Sequence, residues 1–209
     1  MNVSYKLFMS VTVQESIENH LIDNKLIKEN QNGFTKKGRI ENNLLVLKYC
    51  IDNSFKNRKS LYVMSVDYAK AYDSVKRDSL INTLMDYKIH PNIIQVIAEI
   101  YTDDRTNIAI GDKGIDMAVT SGIRQGCTAS TTLFKLLTYI TIDALEKEGG
   151  YQDENFKLSA LYYADDGLIM ARTEEEITKM IEVLVNLSNY TGLRINKEKS
   201  SIIIFNKKE

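Results

Sequence analysis

Ten residues constrain this chain more than any others: Leu161-Tyr162-Tyr163-Ala164-Asp165-Asp166-Gly167-Leu168-Ile169-Met170. Two adjacent aspartates stand between two apolar runs of the kind that form buried strands. Burying a lone carboxylate costs on the order of several kcal/mol unless it is paired or coordinates a metal. Two side by side repel, and each raises the pKa of the other. A strand–Asp-Asp–strand hairpin is therefore costly unless a divalent cation sits against it.

The surrounding pattern mixes helices and strands. Residues 4–24 read as an amphipathic helix carrying Leu7, Phe8, Val11, Val13, Ile17, Leu21 and Ile22. Residues 26–38 are polar, with turn signals at Asn30, Asn32, Gly33 and Gly38. A helix over about 40–57 precedes Leu61-Tyr62-Val63-Met64-Ser65-Val66-Asp67, a β-rich run ending in a carboxylate. Asp73 and Ser74 read as caps of the next helix, and Pro91 as the first turn of another. Thr106–Ile110 and Ile115–Val119 flank a turn at Gly111-Asp112-Lys113-Gly114. A helix over 129–147 stops at Gly149-Gly150. Strands at Phe156–Tyr163 and Leu168–Ala171 enclose the acidic pair. Thr173 and Glu176 form a capping box for a helix to about Tyr190, closed by Gly192. Leu193–Ile195 and Ser201–Phe205 are short strands. The fold class expected is α+β, an antiparallel sheet backed by helices on one face.

Length suits one domain or two joined subdomains, and a 44% hydrophobic content fills a core. No apolar run reaches the roughly 18 residues of a membrane span, and the N-terminus lacks a signal-peptide layout. An intracellular protein is expected, nucleus and cytoplasm not being distinguished. Cys50 and Cys127 read as reduced thiols. Residues 1–60 hold ten Lys/Arg against six Asp/Glu, a surplus of four (10 − 6). Its small clusters, Lys36-Lys37-Arg39 and Lys56-Arg58-Lys59, suit phosphates or a solvated helix face equally.

Asp67 is the third carboxylate of interest. If its strand neighbours the acidic hairpin, Asp67, Asp165 and Asp166 meet at one sheet edge. Magnesium takes hard oxygen ligands, and two such ions about 3.5–4 Å apart stabilise the attacking and leaving oxygens of a phosphoryl transfer. Asp103-Asp104 is a second acidic pair, but it lacks apolar flanks and adjoins Arg105, so it reads as a solvated loop with an ion pair.

These residues carry a resemblance. Tyr163-Ala164-Asp165-Asp166 resembles the tyrosine-any-Asp-Asp box of reverse transcriptases. Val66-Asp67-Tyr68-Ala69-Lys70-Ala71-Tyr72-Asp73-Ser74-Val75 is similar to their preceding acidic motif, as in non-LTR retrotransposons. Gly122-Ile123-Arg124-Gln125-Gly126-Cys127, followed by Leu133-Phe134, resembles their Arg-Gln-Gly-Cys motif. Gly192-Leu193-Arg194-Ile195-Asn196-Lys197-Glu198-Lys199-Ser200 resembles the motif beyond the palm hairpin, and Gln31-Asn32-Gly33-Phe34 a stretch of the fingers. Thr128-Ala129-Ser130-Thr131 departs from the family's Pro-Leu-Ser-Pro, and Thr35 stands where an arginine is usual.

The resemblance implies a polymerase palm over 61–209, with fingers-like helices inserted at about 76–105, and partial fingers over 1–60. Together they form one reverse transcriptase domain with no counterpart of the thumb or the upstream fingers hairpin. It implies RNA-templated DNA synthesis, with two Mg2+ ions (or Mn2+) held by Asp67, Asp165, Asp166 and the carbonyl of Tyr68. Tyr72 is implied as the residue that excludes a 2′-hydroxyl; a core aromatic is its other reading. Tyr68, Arg124, Gln125, Gly126 and Tyr163 are implied to line the nucleotide site with Tyr72, and Lys199 to protonate pyrophosphate. Gln31, Gly33 and Phe34 are implied to touch the template. Implied partners are an RNA template, a DNA or RNA primer, dNTPs and further polypeptide supplying the thumb, with no membrane. Two other readings are a non-catalytic palm remnant that binds nucleic acid or a partner, and a palm that copies RNA with ribonucleotides.

Overall fold

The computed structural model of the chain describes residues 2–35, 38–110, 113–154 and 156–207. It opens with α1 (Val3–Phe8), a π-helical segment (Met9–Gln14), α2 (Glu15–Asp23) and α3 (Ile40–Lys56). Then come β1 (Leu61–Val66), β2 (Tyr68–Ala69), α4 (Ala71–Ser74), α5 (Arg77–Asp86), α6 (Pro91–Tyr101), β3 (Arg105–Ile110) and β4 (Lys113–Ala118). The chain continues through α7 (Thr128–Glu148), β5 (Tyr151–Gln152), β6 (Lys157–Leu158), β7 (Ala160–Tyr163), β8 (Asp166–Ala171), α8 (Glu174–Thr191), β9 (Arg194–Ile195) and β10 (Ser201–Phe205).

The main sheet has the order β10-β1-β8-β7, antiparallel throughout. Along β1, alternate residues serve two cores, as a period of two requires. Tyr62, Met64 and Val66 join the larger core, which holds Leu133, Phe134 and Leu137 of α7 and Met180 and Leu184 of α8. Leu61 and Val63 join a second core with Leu161 and Met170, covered by Val46, Leu47 and Ile51 of α3. The α+β architecture is as expected, but helices cover both sheet faces. β1 is apolar on both sides, so both need cover.

The first helix differs from its sequence reading. Met9, Val13, Ile17 and Leu21 are buried, whereas Leu7, Phe8, Val11 and Ile22 are exposed. A stripe of every fourth residue drifts by about 40° per step in an α-helix. The wider turn of the π-helical segment winds less per residue and keeps that stripe facing the core.

Other boundaries shift. Asp73 and Ser74 lie inside α4, and the next helix starts at Arg77 after an extended Lys76. The strand expected over Phe156–Tyr163 is broken at Ser159 into β6 and β7, and β6 pairs with the unforeseen β5. Pro91 occupies the first turn of α6, and Thr173 accepts from the Glu176 amide at 3.2 Å. Lys36-Lys37 and Gly111-Asp112 lie outside the described residues.

Candidate active site

Strand register brings the carboxylates together. Val66 of β1 pairs with Gly167 of β8. One step further along that register sets Asp67 opposite Asp166, and directly opposed residues share a sheet face. Asp165 follows Ala164 in the two-residue turn between β7 and β8, closed by the Tyr163–Asp166 pair. Asp67 and Asp165 are half-buried and Asp166 is more exposed. The Asp166 carboxyl is nevertheless pushed above its usual range, first by partial burial, then by the charges of Asp165 and Asp67. Among the described residues, no Lys, Arg or His forms an ion pair with any of the three. Nor do three His, Cys, Asp or Glu side chains already close into a metal-binding group among the described residues. The donor chemistry, three oxygen-bearing groups with uncompensated charge, fits a hard divalent cation.

The backbone around Asp67 is strapped from far along the chain. The Asn196 amide donates to the Asp67 carbonyl at 2.8 Å, and the Asp67 amide donates to Ser200 Oγ at 3.2 Å. Tyr68 and Ala69 pair with Ile195 and Arg194. Sequence reasoning placed this segment by resemblance but missed its use of Asn196 and Ser200. Beneath the hairpin, the buried Tyr68 and Tyr162 hydroxyls lie 3.1 Å apart. A Cβ on Gly167 would stand 2.7 Å from the Tyr162 ring, so the residue after the acidic pair must be small.

The Tyr72 ring stacks on Phe134, with centroids 4.9 Å apart and an interplanar angle of 8°. Its hydroxyl is pushed up to about 12, first by burial and then by the Asp165 charge. Gln125 donates to Asp73 Oδ1 at 3.0 Å, and Gly126 is exposed with φ 76°. Lys199 is exposed. With Asp67, Tyr163, Asp166, Asn43 and Leu44 it lines a cleft of about 330 Å3.

Arg124 is held differently from the rest of its motif. Its guanidinium donates to Asp104 at 2.7 Å, to the Ile100 carbonyl at 3.2 Å and to the Tyr5 hydroxyl at 3.3 Å. Arg77 takes the other Asp104 oxygen at 2.7 Å and lies over the Tyr101 ring. The ion pair expected at Asp103-Asp104 is present, but it is not a solvated one. Asp103 is exposed, but the Asp104 side chain is only 11% exposed, and its partners are Arg77 and Arg124, with Arg105 in the following strand.

The segment expected at the template faces inward. Gln31 is 1% exposed, and its carboxamide bonds the backbone of Ala164 in the acidic turn. Gly33 approaches the same residue: a Cβ there would stand 2.0 Å from the Ala164 nitrogen. Phe34 is 40% exposed, with φ 59°.

A profile of the family described as "Reverse transcriptase (RNA-dependent DNA polymerase)" matches residues 1–208. The chain is 29% identical over 165 residues to the Retrovirus-related Pol polyprotein from type-1 retrotransposable element R2 of Bradysia coprophila, covering 77% of this chain and 18% of that protein. It is 24% identical over 170 residues to the corresponding polyprotein from type-2 retrotransposable element R2DM of Drosophila melanogaster, covering 81% and 16%. The chain therefore spans less than a fifth of either relative's length. Among solved structures, telomerase from Candida tropicalis in complex with a TWJ fragment of telomeric RNA has a similar fold. The TM-score is 0.72 at 15% identity, over 96% of this chain and 35% of that one. No helix among the described residues is long and apolar enough to cross a membrane. With the profile running from its first helix through its acidic hairpin to its last strand, this chain belongs to the reverse transcriptase family.

Proposed function

We propose that this chain is the palm and partial fingers of a retroelement reverse transcriptase, and that it extends a primer 3′-hydroxyl with deoxynucleotides on an RNA template. The observation that carries this reading is the Val66–Gly167 register, which brings Asp67 and Asp166 to one sheet end beside Asp165, with no ion-pair partner for them among the described residues. Residues 1–60 act as partial fingers and 61–209 as palm, with fingers-like helices over about 76–105. Further polypeptide supplies the thumb and upstream fingers.

Asp67, Asp165, Asp166 and the Tyr68 carbonyl would hold two divalent cations, magnesium or manganese. Such ions, when bound, lower the pKa of the primer hydroxyl and neutralise the leaving pyrophosphate. Tyr72, stacked on Phe134, presents a rigid ring where a ribose 2′-hydroxyl would clash. Gln125 and Gly126 line the nucleotide side with Tyr163, and Arg124, anchored on Asp104, fixes the loop that carries them. Lys199 stands at the cleft shared with Asp67 and Asp166, within the region where a departing pyrophosphate needs a proton. Phe34, the exposed ring of its motif, contacts the template.

The test is primer extension on an RNA template with magnesium and dNTPs. Wild type extends, Asp165→Asn does not, and Tyr72→Ala gains use of rNTPs. Extension that survives Asp165→Asn removes Asp165 from the metal site. A wild-type chain that binds template-primer without metal-dependent extension turns the reading to a non-catalytic palm.

A further inference from the structure

We propose that Gln31 is a positioning residue that locks the catalytic turn, acting through backbone rather than through template; this rests on the polymerase reading of Asp165 and Asp166. Its carboxamide is fully engaged. Oε1 accepts from the Ala164 amide at 3.0 Å and from the Gly33 amide at 2.8 Å. Nε2 donates to the Ala164 carbonyl at 3.0 Å and to Thr138 Oγ1 at 3.0 Å. The Thr138 hydroxyl itself donates to the Lys135 carbonyl at 2.8 Å, so it meets Nε2 as an acceptor. This fixes which end of the amide carries the nitrogen, because a flipped carboxamide would set donor against donor and acceptor against acceptor.

Ala164 adopts a left-handed φ of 57°, a conformation that side-chain-bearing residues seldom take unaided. Gln31 holds both polar atoms of that residue, so it acts as a substitute peptide for the edge of the turn. The plane of the Ala164–Asp165 peptide bond follows, and with it the direction in which Asp165 leaves the backbone.

The anchor has two supports. One is α7, through Thr138. The other is the edge of β7, where the Tyr162 amide donates to the Asn30 carbonyl at 2.7 Å and the Asn32 amide to the Tyr162 carbonyl at 2.9 Å. The Asn43 side chain donates to that carbonyl as well, at 3.1 Å, and accepts from Asn32 at 2.7 Å. Residues 30–32 therefore lie as a short parallel partner along an otherwise open strand edge. Gly33 completes the fit, since any Cβ there would overlap the Ala164 amide.

Two variants separate positioning from folding. Gln31→Glu keeps the shape but turns a carboxylate oxygen toward the Ala164 carbonyl, and Gln31→Met keeps the volume without polar atoms. In both, kcat for primer extension at saturating dNTP is expected to fall about 10–100-fold, while KM for dNTP stays within about threefold. Amide hydrogen exchange at Ala164 is expected to speed up by about tenfold or more in Gln31→Met, which leaves that amide without its acceptor, with Ile169 in the adjoining strand unchanged. Unchanged exchange at Ala164 in Gln31→Met, equal acceleration across the sheet, or a kcat within about twofold of wild type overturns the proposal. A wild-type chain that shows no metal-dependent extension overturns the polymerase reading instead, and exchange at Ala164 then decides the clamp alone.

Discussion

Asp103-Asp104 and Asp165-Asp166 are the same dipeptide in two settings. At Asp104 the protein supplies its own countercharge. Arg77 and Arg124 each take one carboxylate oxygen at 2.7 Å. Burial would push that carboxyl up, but hydrogen bonds from Arg124 and Arg77 outweigh it and hold the group below its usual range. At Asp165-Asp166 no such partner is present among the described residues, and a third carboxylate, Asp67, adds its charge to theirs. The first arrangement ties α6, the β3–β4 hairpin and the Arg124 loop into one piece. The second leaves negative charge uncompensated on a rigid sheet end, which is what a cation site needs.

The largest difference should appear in activity. Asp165→Asn is expected to reduce primer extension by about 10³-fold or more, as befits a group acting directly on transition-state charge. Its thermal midpoint should hold or rise, because one of three repelling charges is gone. Asp104→Asn should do the reverse to stability. It leaves two guanidinium groups facing a neutral amide, at a cost of about 2–3 kcal/mol in urea unfolding, less than a fully buried pair because Arg124 is one-third exposed. A destabilised Asp165→Asn, or an Asp104→Asn as stable as wild type, would break the contrast.

The contrast was half legible in the amino-acid order. Asp165 and Asp166 announce themselves because Leu161-Tyr162 and Leu168-Ile169 flank them at strand-like spacing, and β1 announces Asp67 in the same way. Local periodicity and turn chemistry carry that much. Asp104 reads as part of a solvated loop in the sequence because its partners stand 27 residues before and 20 residues after it. The Gln31 contact with Ala164 spans 133 residues, as does the Ser200 contact with Asp67. Such contacts depend on how loops dock once the sheet exists, and no spacing rule encodes them. The π-helical segment escaped for a related reason: its cause is the core it faces, and helical periodicity alone assigned Leu7 and Val11 to the wrong side.

Metal should sharpen the difference by a smaller amount. A cation that binds only the folded state at ten times its dissociation constant stabilises it by about 1.4 kcal/mol, or about 3–6 °C for a chain of this size. Differential scanning fluorimetry with magnesium is expected to show that rise for wild type and for Asp104→Asn, and to lose it for Asp67→Asn. A rise that persists in Asp67→Asn would place the cation elsewhere.

The smallest effect is the acid response of the paired aspartate, and its sign follows from the direction of the shift. The folded-state pKa of Asp104 lies below its unfolded value, so the folded protein favours the ionised form. The stability gained is complete above the ordinary carboxylate pKa of about 3.9, and it disappears as pH falls through the depressed folded value. The stability difference between wild type and Asp104→Asn should therefore be flat from about pH 7 to 5 and shrink only below about pH 4. Chemical unfolding of both chains across that range reads it directly. A difference that already shrinks between pH 7 and 5 would mean that Arg77 and Arg124 do not hold this carboxylate in its charged form, and the two acidic pairs would then differ in exposure rather than in countercharge.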